Sequence, residues 1–234
     1  LKYFNNNVYG MQVLLEAMVR NNVDKIVFLS TAAVYGEPKR VPIMEDDPTE
    51  PTNPYGESKR TMEKMMKWVS RANGIRYVSL RYFNAAGALD DGSIGEDHNP
   101  ETHLIPLILQ VPLGKRYPTP DGTCLRDYIH VIDLADAHVL ALEYLRKGGE
   151  SNIFNLGNGK GFSVKEMIEA AKKATGKDIK VEMGARRAGD PAQLIASSDK
   201  AKKILGWKPR YTNVEQVIGT AWTWHQKHPN GYEK

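Results

Sequence analysis

Lys25-Ile26-Val27-Phe28-Leu29-Ser30, then Met62, Met65, Met66 and Val69, then Arg76-Tyr77-Val78-Ser79-Leu80-Arg81-Tyr82-Phe83, decide the fold between them. The outer stretches are short apolar runs rich in β-branched and aromatic residues, the pattern of strands buried on both faces. The methionines and the valine recur at three- and four-residue spacing, the stripe of an amphipathic helix. Asn53-Pro54 opens that helix with a capping side chain and a first-turn proline, and Asn73-Gly74 closes it. Strand, long helix, strand is a βαβ unit, which requires a parallel sheet with helices on its faces. Such sheets take ligands at the carboxyl ends of their strands. Those ends are Ser30-Thr31 and Phe83-Asn84.

The rest of the chain arranges itself around this unit. Val8, Met11, Leu14, Leu15, Met18 and Val19 predict a helix over 6–20. Residues 31–53 hold four prolines and a run of acids, so they form a long loop. Past Asn84 the pattern loosens into a polar loop over 87–101 and a short helix over 104–109. A helix over 133–147 and a strand over 153–156 follow. Ser163 and Glu166 form a capping box for a helix over 163–175. A strand over 179–183 and helices near 201–205 and 214–225 complete the chain. This part is more mixed and reads as a smaller lobe. The division expected is 1–87 for the sheet domain and 88–234 for the lobe, with some segments of the latter returning to the sheet.

Composition narrows the function. The chain has 234 residues, 41% hydrophobic and 26% charged, ordinary globular usage. No apolar run approaches the roughly 18 residues of a membrane span. A net charge of +4 does not demand nucleic acid, though it suits an anionic ligand. One cysteine, Cys124, leaves no internal disulfide and suits a reducing cytoplasm. The histidines do not cluster with Cys or acids, so no metal site is expected.

A Tyr-x-x-x-Lys spacing puts both side chains on one helix face. A nearby ammonium favours the phenolate, and such a pair can take a proton from a hydroxyl. The spacing occurs twice, as Tyr35/Lys39 and Tyr55/Lys59, where chance yields about one. Pro38 lies inside the first, which sits in a loop, so that pair is not expected to be helical. The second leads into the methionine-striped helix. The residues alone leave it either a catalytic pair or a half-buried tyrosine beside a solvated lysine. Ser30 and Thr31 could share a proton with Tyr55, or simply begin a loop. Arg126 with Arg186 or Arg187 could clamp a diphosphate. Salt bridges to Asp127 and Asp190 are the plainer reading. Gly157-Asn158-Gly159-Lys160-Gly161 lacks the spacing of a phosphate loop and reads as a strand-to-helix turn.

Taken as a set, these segments resemble the extended short-chain dehydrogenase/reductase family and, within it, the sugar-nucleotide 4-epimerases. The resembling stretches include Asn6-Asn7-Val8, Phe28 to Gly36, Asn53 to Lys59, Leu80 to Gly87, Asp121-Gly122-Thr123, Arg126 to Val131 and Arg186 to Asp190. They keep family order over nearly the whole chain. The resemblance implies a Rossmann-type α/β fold, a doubly wound parallel sheet with a smaller mixed α/β substrate-binding lobe. It implies bound NAD as a transient oxidant and UDP-glucose/UDP-galactose as substrates, passing through a 4-keto sugar. Tyr55 is then the base, Lys59 lowers its pKa and binds the nicotinamide ribose, and Thr31 bridges Tyr55 and the sugar. Asn6, Ser30 and Tyr82 touch NAD. Phe83, Asn84, Leu104, Arg126, Arg187 and Asp190 hold the nucleotide-sugar. The helices around Leu15 and Met65 make a homodimer.

Related dehydratases carry Asp-Glu after the Ser-Thr, where this chain has Ala32-Ala33, so epimerase ranks above dehydratase. Rival readings are an epimerase of N-acetylated or pentose UDP-sugars, with Leu194 near the size gate, and a non-catalytic nucleotide-sugar-binding protein. The family's Gly-rich first half, on the order of 90 residues at roughly 30 per βαβ unit, is not in the sequence. Leu113 to Pro118 joins directly where the family inserts about ten residues, roughly one strand with its turns.

Overall fold

The computed structural model describes residues 1–98, 112–113, 119–179, 182–183 and 191–232. Strand β1 (Lys25–Thr31) pairs in parallel with β2 (Arg76–Tyr82), which pairs in parallel with β7 (Asn152–Leu156). The central strand is buried on both faces, as a parallel sheet covered by helices requires.

Helix α1 (Gly10–Arg20) and helix α2 (Pro54–Asn73) cover one face. The helical path begins earlier, as a π-helical stretch over Phe4–Tyr9. Met11, Leu15, Met18, Met62 and Met66 pack there against Phe28, Ile75 and Tyr77. The expected caps form in detail. Asn53 Oδ1 accepts the Gly56 N–H at 2.8 Å, and Gly74 ends α2 in the left-handed conformation. Helix α3 (Val131–Arg146) and the short α5 (Asp199–Leu205) cover the other face. Val78, Leu80, Phe154 and Leu156 meet Leu134, Ala137, Ala141, Leu145 and Trp207 there.

The second lobe is built from small pieces. β3 (Asn84–Ala86) pairs in parallel with β6 (Tyr128–His130), and β5 (Leu125–Arg126) lies between β8 (Phe162–Ser163) and β10 (Gln193–Leu194). β4 (Pro112–Leu113) pairs with β9 (Glu182–Met183). Helix α4 (Val164–Thr175) packs on α6 (Val214–Lys227) around Met167, Ile168, Val217 and Ile218. Its capping box is formed as read, Ser163 Oγ accepting the Glu166 N–H and Glu166 reaching back to the Ser163 N–H. The helix expected over 104–109 and the join at 113–118 lie outside the described residues, as does part of the strand expected over 179–183.

The Gly157-to-Gly161 segment is a turn, and its backbone does hold an anion, but the anion is internal. Asp127, fully buried, accepts the Asn158 N–H at 2.7 Å on one oxygen. On the other it accepts the Gly159 N–H at 2.9 Å and the Ala196 N–H at 3.1 Å. A Cβ on Gly157 would stand 2.5 Å from that carboxylate, so only glycine fits. Burial nonetheless pushes Asp127 up to about 6. The surface pair expected between Arg126 and Asp127 is therefore corrected, since both Asp127 oxygens are spent on backbone N–H groups.

Candidate active site

Thr31 ends β1 and Tyr82 ends β2, and the two are register partners. They stand side by side on the same face at the carboxyl end of the sheet. Thr31 Oγ1 accepts the Ala33 N–H at 3.2 Å, which starts a tight 3-10 turn over Ala32–Val34. With its oxygen so engaged, the Thr31 hydroxyl keeps its proton for another partner. Tyr55, in the first turn of α2, stands near enough for that hydroxyl to act on its phenol.

Gly56 makes the approach possible. A Cβ on it would lie 2.3 Å from the Ala33 carbonyl oxygen and 3.1 Å from Pro51 Cβ, so α2 comes as close to the turn after β1 as backbone allows. Lys59 follows one turn later on the same face. Its Nζ donates to the Leu29 carbonyl at 2.8 Å and lies 5.8 Å from the Tyr55 ring centre and 5.0 Å from that of Phe28. The Tyr3 ring meets Tyr55 edge-on at 5.9 Å.

Burial dominates the electrostatics. It pushes the Tyr55 phenol up, with the Thr31 hydrogen bond pulling the other way and Tyr3 adding to the rise. It pulls the Lys59 ammonium down. Tyr82 is pushed up to about 12 by burial, with Tyr55 beside it. The expectation that the ammonium would bring the phenol down is thus corrected. Lys59 is aimed at a backbone carbonyl, and desolvation outweighs its field.

Other residues divide. Ser30 is corrected: its side chain is fully buried and donates to Glu63 at 2.5 Å, on the opposite side of the strand from Thr31. Successive strand residues face opposite ways, so Ser30 and Thr31 cannot both face a ligand. Asn6 is exposed and donates to Asn7 Oδ1 at 3.1 Å. Its neighbour Asn7 ties the first helix to α2 through Ser58 Oγ at 2.9 Å. Phe83 is buried against Val34, Tyr35 and Ile43, with Leu194 at the edge of the cluster. Asn84 is half-buried and donates its N–H to the Asp127 carbonyl.

Arg126 pairs in register with Leu194, and its guanidinium donates to the carbonyls of Pro191 at 2.7 Å and Leu125 at 2.8 Å. Leu104, Arg186, Arg187 and Asp190 lie outside the described residues. The rival Tyr35/Lys39 pair is not helical. Tyr35 closes the 3-10 turn and is buried, donating to Asn155 at 2.6 Å, and burial pushes it up to about 12. Among the described residues no group of His, Cys, Asp or Glu could hold a metal.

Sequence reasoning passed over Gly56, Ser58, Glu63 and Arg81. Two of these carried a signal: a charged residue inside a buried strand, and another inside an apolar helix stripe, demand partners.

Residues 1–157 match the NAD dependent epimerase/dehydratase family. A UDP-glucose 4-epimerase of Lacticaseibacillus casei is 60% identical over 99% of this chain and 73% of its own. One of Streptococcus mutans is 57% identical over 100% of this chain and 73% of its own. The crystal structure of UDP-glucose 4-epimerase from Bifidobacterium longum in complex with NAD+ and UDP is 41% identical, with a TM-score of 0.93, covering 99% of this chain and 72% of that one. That from Brucella ovis in complex with NAD is 45% identical, with a TM-score of 0.90, covering 95% and 72%.

Proposed function

The chain belongs to the NAD dependent epimerase/dehydratase family, and on that premise we propose that it interconverts UDP-glucose and UDP-galactose by NAD-dependent inversion at C4 of the sugar. The observation that carries the reading is the placement of Tyr55 in the first turn of α2, where Gly56 packs on the turn that follows Thr31, with Lys59 one helical turn on and bonded to the Leu29 carbonyl, at the carboxyl ends of β1 and β2.

NAD fits the chemistry of this end of the sheet. An ammonium (Lys59), two phenols (Tyr55, Tyr82) and an exposed carboxamide (Asn6) offer hydrogen bonds to ribose hydroxyls and a carboxamide. Leu29, 46% exposed on the same strand face as Thr31, offers apolar contact to a ring. When bound, NAD supplies the acceptor and then the donor of hydride.

The chain's own residues handle the proton. Tyr55 takes it from the 4-hydroxyl, with the Thr31 hydroxyl as the bridge between the phenol and the sugar oxygen. Burial outweighs the field of Lys59 at the neutral phenol, but the ammonium one turn away steadies the phenolate as the proton leaves. Phe83, Asn84, Leu104, Arg126, Arg187 and Asp190 hold the nucleotide-sugar, arginine forks suiting the diphosphate. The two positions after Thr31 are alanines, which leaves no acid there to expel water.

Residues 1–87 belong to the NAD-binding domain, and 88–234 mainly to the nucleotide-sugar lobe. The chain pairs with a second copy through α1 and α2. Their outer face exposes Val13, Leu14, Val19 and Trp68, and Leu15, Val19, Met65 and Val69 help line a cavity of about 470 Å³ between them. Among the described residues no helix is long and apolar enough to cross a membrane. We place the protein in the cytoplasm, where its single cysteine stays reduced.

The test is Tyr55→Phe. It keeps UDP-glucose affinity and loses roughly 10²–10⁴-fold in kcat. Near-normal turnover would show that the mechanism is wrong.

A further inference from the structure

Behind the reactive face lies an interior polar layer that the reaction does not touch. Glu63 follows Lys59 by one turn of α2 and Tyr55 by two, and is 6% exposed. Its Oε1 accepts Ser30 Oγ at 2.5 Å and Arg81 Nε at 3.0 Å, and its Oε2 accepts Arg81 Nη2 at 2.6 Å. Arg81, 4% exposed, reaches onward through Nη1 to Tyr35 Oη at 2.9 Å and to the Glu45 carbonyl at 3.3 Å. Tyr35 donates to Asn155 Oδ1 at 2.6 Å. One layer thus ties α2, β1, β2, β7 and the turn after β1.

Two of its members adjoin residues of the site. Ser30 precedes Thr31, and Arg81 precedes Tyr82. Strand alternation sends one of each pair to the site and its neighbour into the layer.

Stability alone is a weak reason to keep such a pair. Desolvating both ions offsets their attraction, and apolar residues of the same volume often serve as well. A bidentate guanidinium supplies something else, a fixed angle and distance between the elements it joins. We propose that Arg81 and Glu63 are positioning residues for the reaction. The Arg81 fork, holding Glu63 on α2 and Tyr35 after β1, sets the separation of α2 from β1 and with it the distance of Tyr55 from Thr31. This deepens the epimerase reading and rests on it.

Arg81→Lys tests the fork. It keeps the charge beside Glu63 but cannot grip Glu63 and Tyr35 in one plane. The expected variant folds, with UDP affinity and KM for UDP-glucose unchanged and kcat down roughly ten- to hundredfold. A second readout needs no turnover. The alkaline titration of Tyr55, taken as the tyrosinate absorbance that Tyr55→Phe removes in the same background, moves upward as the Thr31 contact loosens. A folded Arg81→Lys with unchanged kcat and unchanged Tyr55 titration overturns the proposal, as does a loss confined to KM. If Arg81→Lys does not fold, Ser30→Ala, which deletes a single hydrogen bond of the layer, takes its place. A lower kcat with a raised Tyr55 titration then supports the proposal, and no change in either overturns it. Absence of turnover in the unaltered protein would sink the functional reading alone, and the Tyr55 titration would then decide the positioning role.

Discussion

Gly56→Ala should lower both stability and turnover, although the same change in an open helix raises stability. A Cβ at this position falls 2.3 Å from the Ala33 carbonyl oxygen and 2.9 Å from its carbon, both backbone atoms that cannot swing aside. Ordinary carbon contacts lie at about 3.5 Å or more, so the first turn of α2 must retreat by about 1 Å. Overpacking of this kind costs about 1–3 kcal/mol. Alanine's better helix propensity returns up to about 1 kcal/mol. The net loss is about 1–2 kcal/mol, which in a chain of this size lowers Tm by about 2–8 °C.

The retreat carries Tyr55 away from Thr31, and a misplacement of about 1 Å can cost roughly a hundredfold in rate. Thermal unfolding and steady-state epimerisation of UDP-glucose measure the two effects. Gly10→Ala is the control. Nothing lies within 4 Å of its Cβ, so that change stabilises the protein by about 0.5–1 kcal/mol. A Gly56→Ala protein with unchanged Tm and full kcat would refute the claim that this glycine sets the approach of α2 to β1.

His130, fully buried, accepts the Ile132 N–H at the start of α3, and burial holds its pKa below 6.5. The unfolded chain therefore takes up a proton before the folded one. Stability falls as pH drops below about 6.5, by at most about 1.4 kcal/mol per unit. Urea titrations should show a shallower fall in His130→Asn, and an identical slope would contradict the assignment. Ser163→Ala removes the cap of α4 and should cost about 1–2 kcal/mol, read as a lower urea midpoint with catalysis retained. Trp68→Glu places a charge on the outer face of α2, where Trp68 is 66% exposed. Sedimentation should find the variant monomeric, and an unshifted dimer would remove α2 from the interface.

Legibility of the site followed the range of the interaction. Tyr55 and Lys59 stand four residues apart on a helix whose start is announced by Asn53 and Pro54, so their shared face could be read directly. Ser30 could not be separated from Thr31 by inspection. Both end the same strand, and only the pairing of β1 with β2 and the packing of α2 decide which side faces the site. Tyr35 offered the same Tyr-x-x-x-Lys spacing, and its burial against Asn155 and Arg81 comes from residues 120 and 46 positions away. The Gly157 turn was legible as a turn, yet its partner Asp127 lies 31 positions back from Asn158.

What the sequence determined by itself were the elements whose signals close within one or two turns of chain: the buried strands, the methionine-striped helix, the Asn53 cap and the Ser163–Glu166 box. These depend on side chains reaching backbone groups a few residues away, and spacing alone states them. What the tertiary structure decided was the direction in which polar groups are spent. Burial turned Tyr55 and Lys59 toward their neutral forms, Asp127 became the anion of its own glycine turn, and Arg81 met Glu63 behind the site. Each outcome depends on desolvation and on partners from distant strands, and those come into being only when the sheet is assembled.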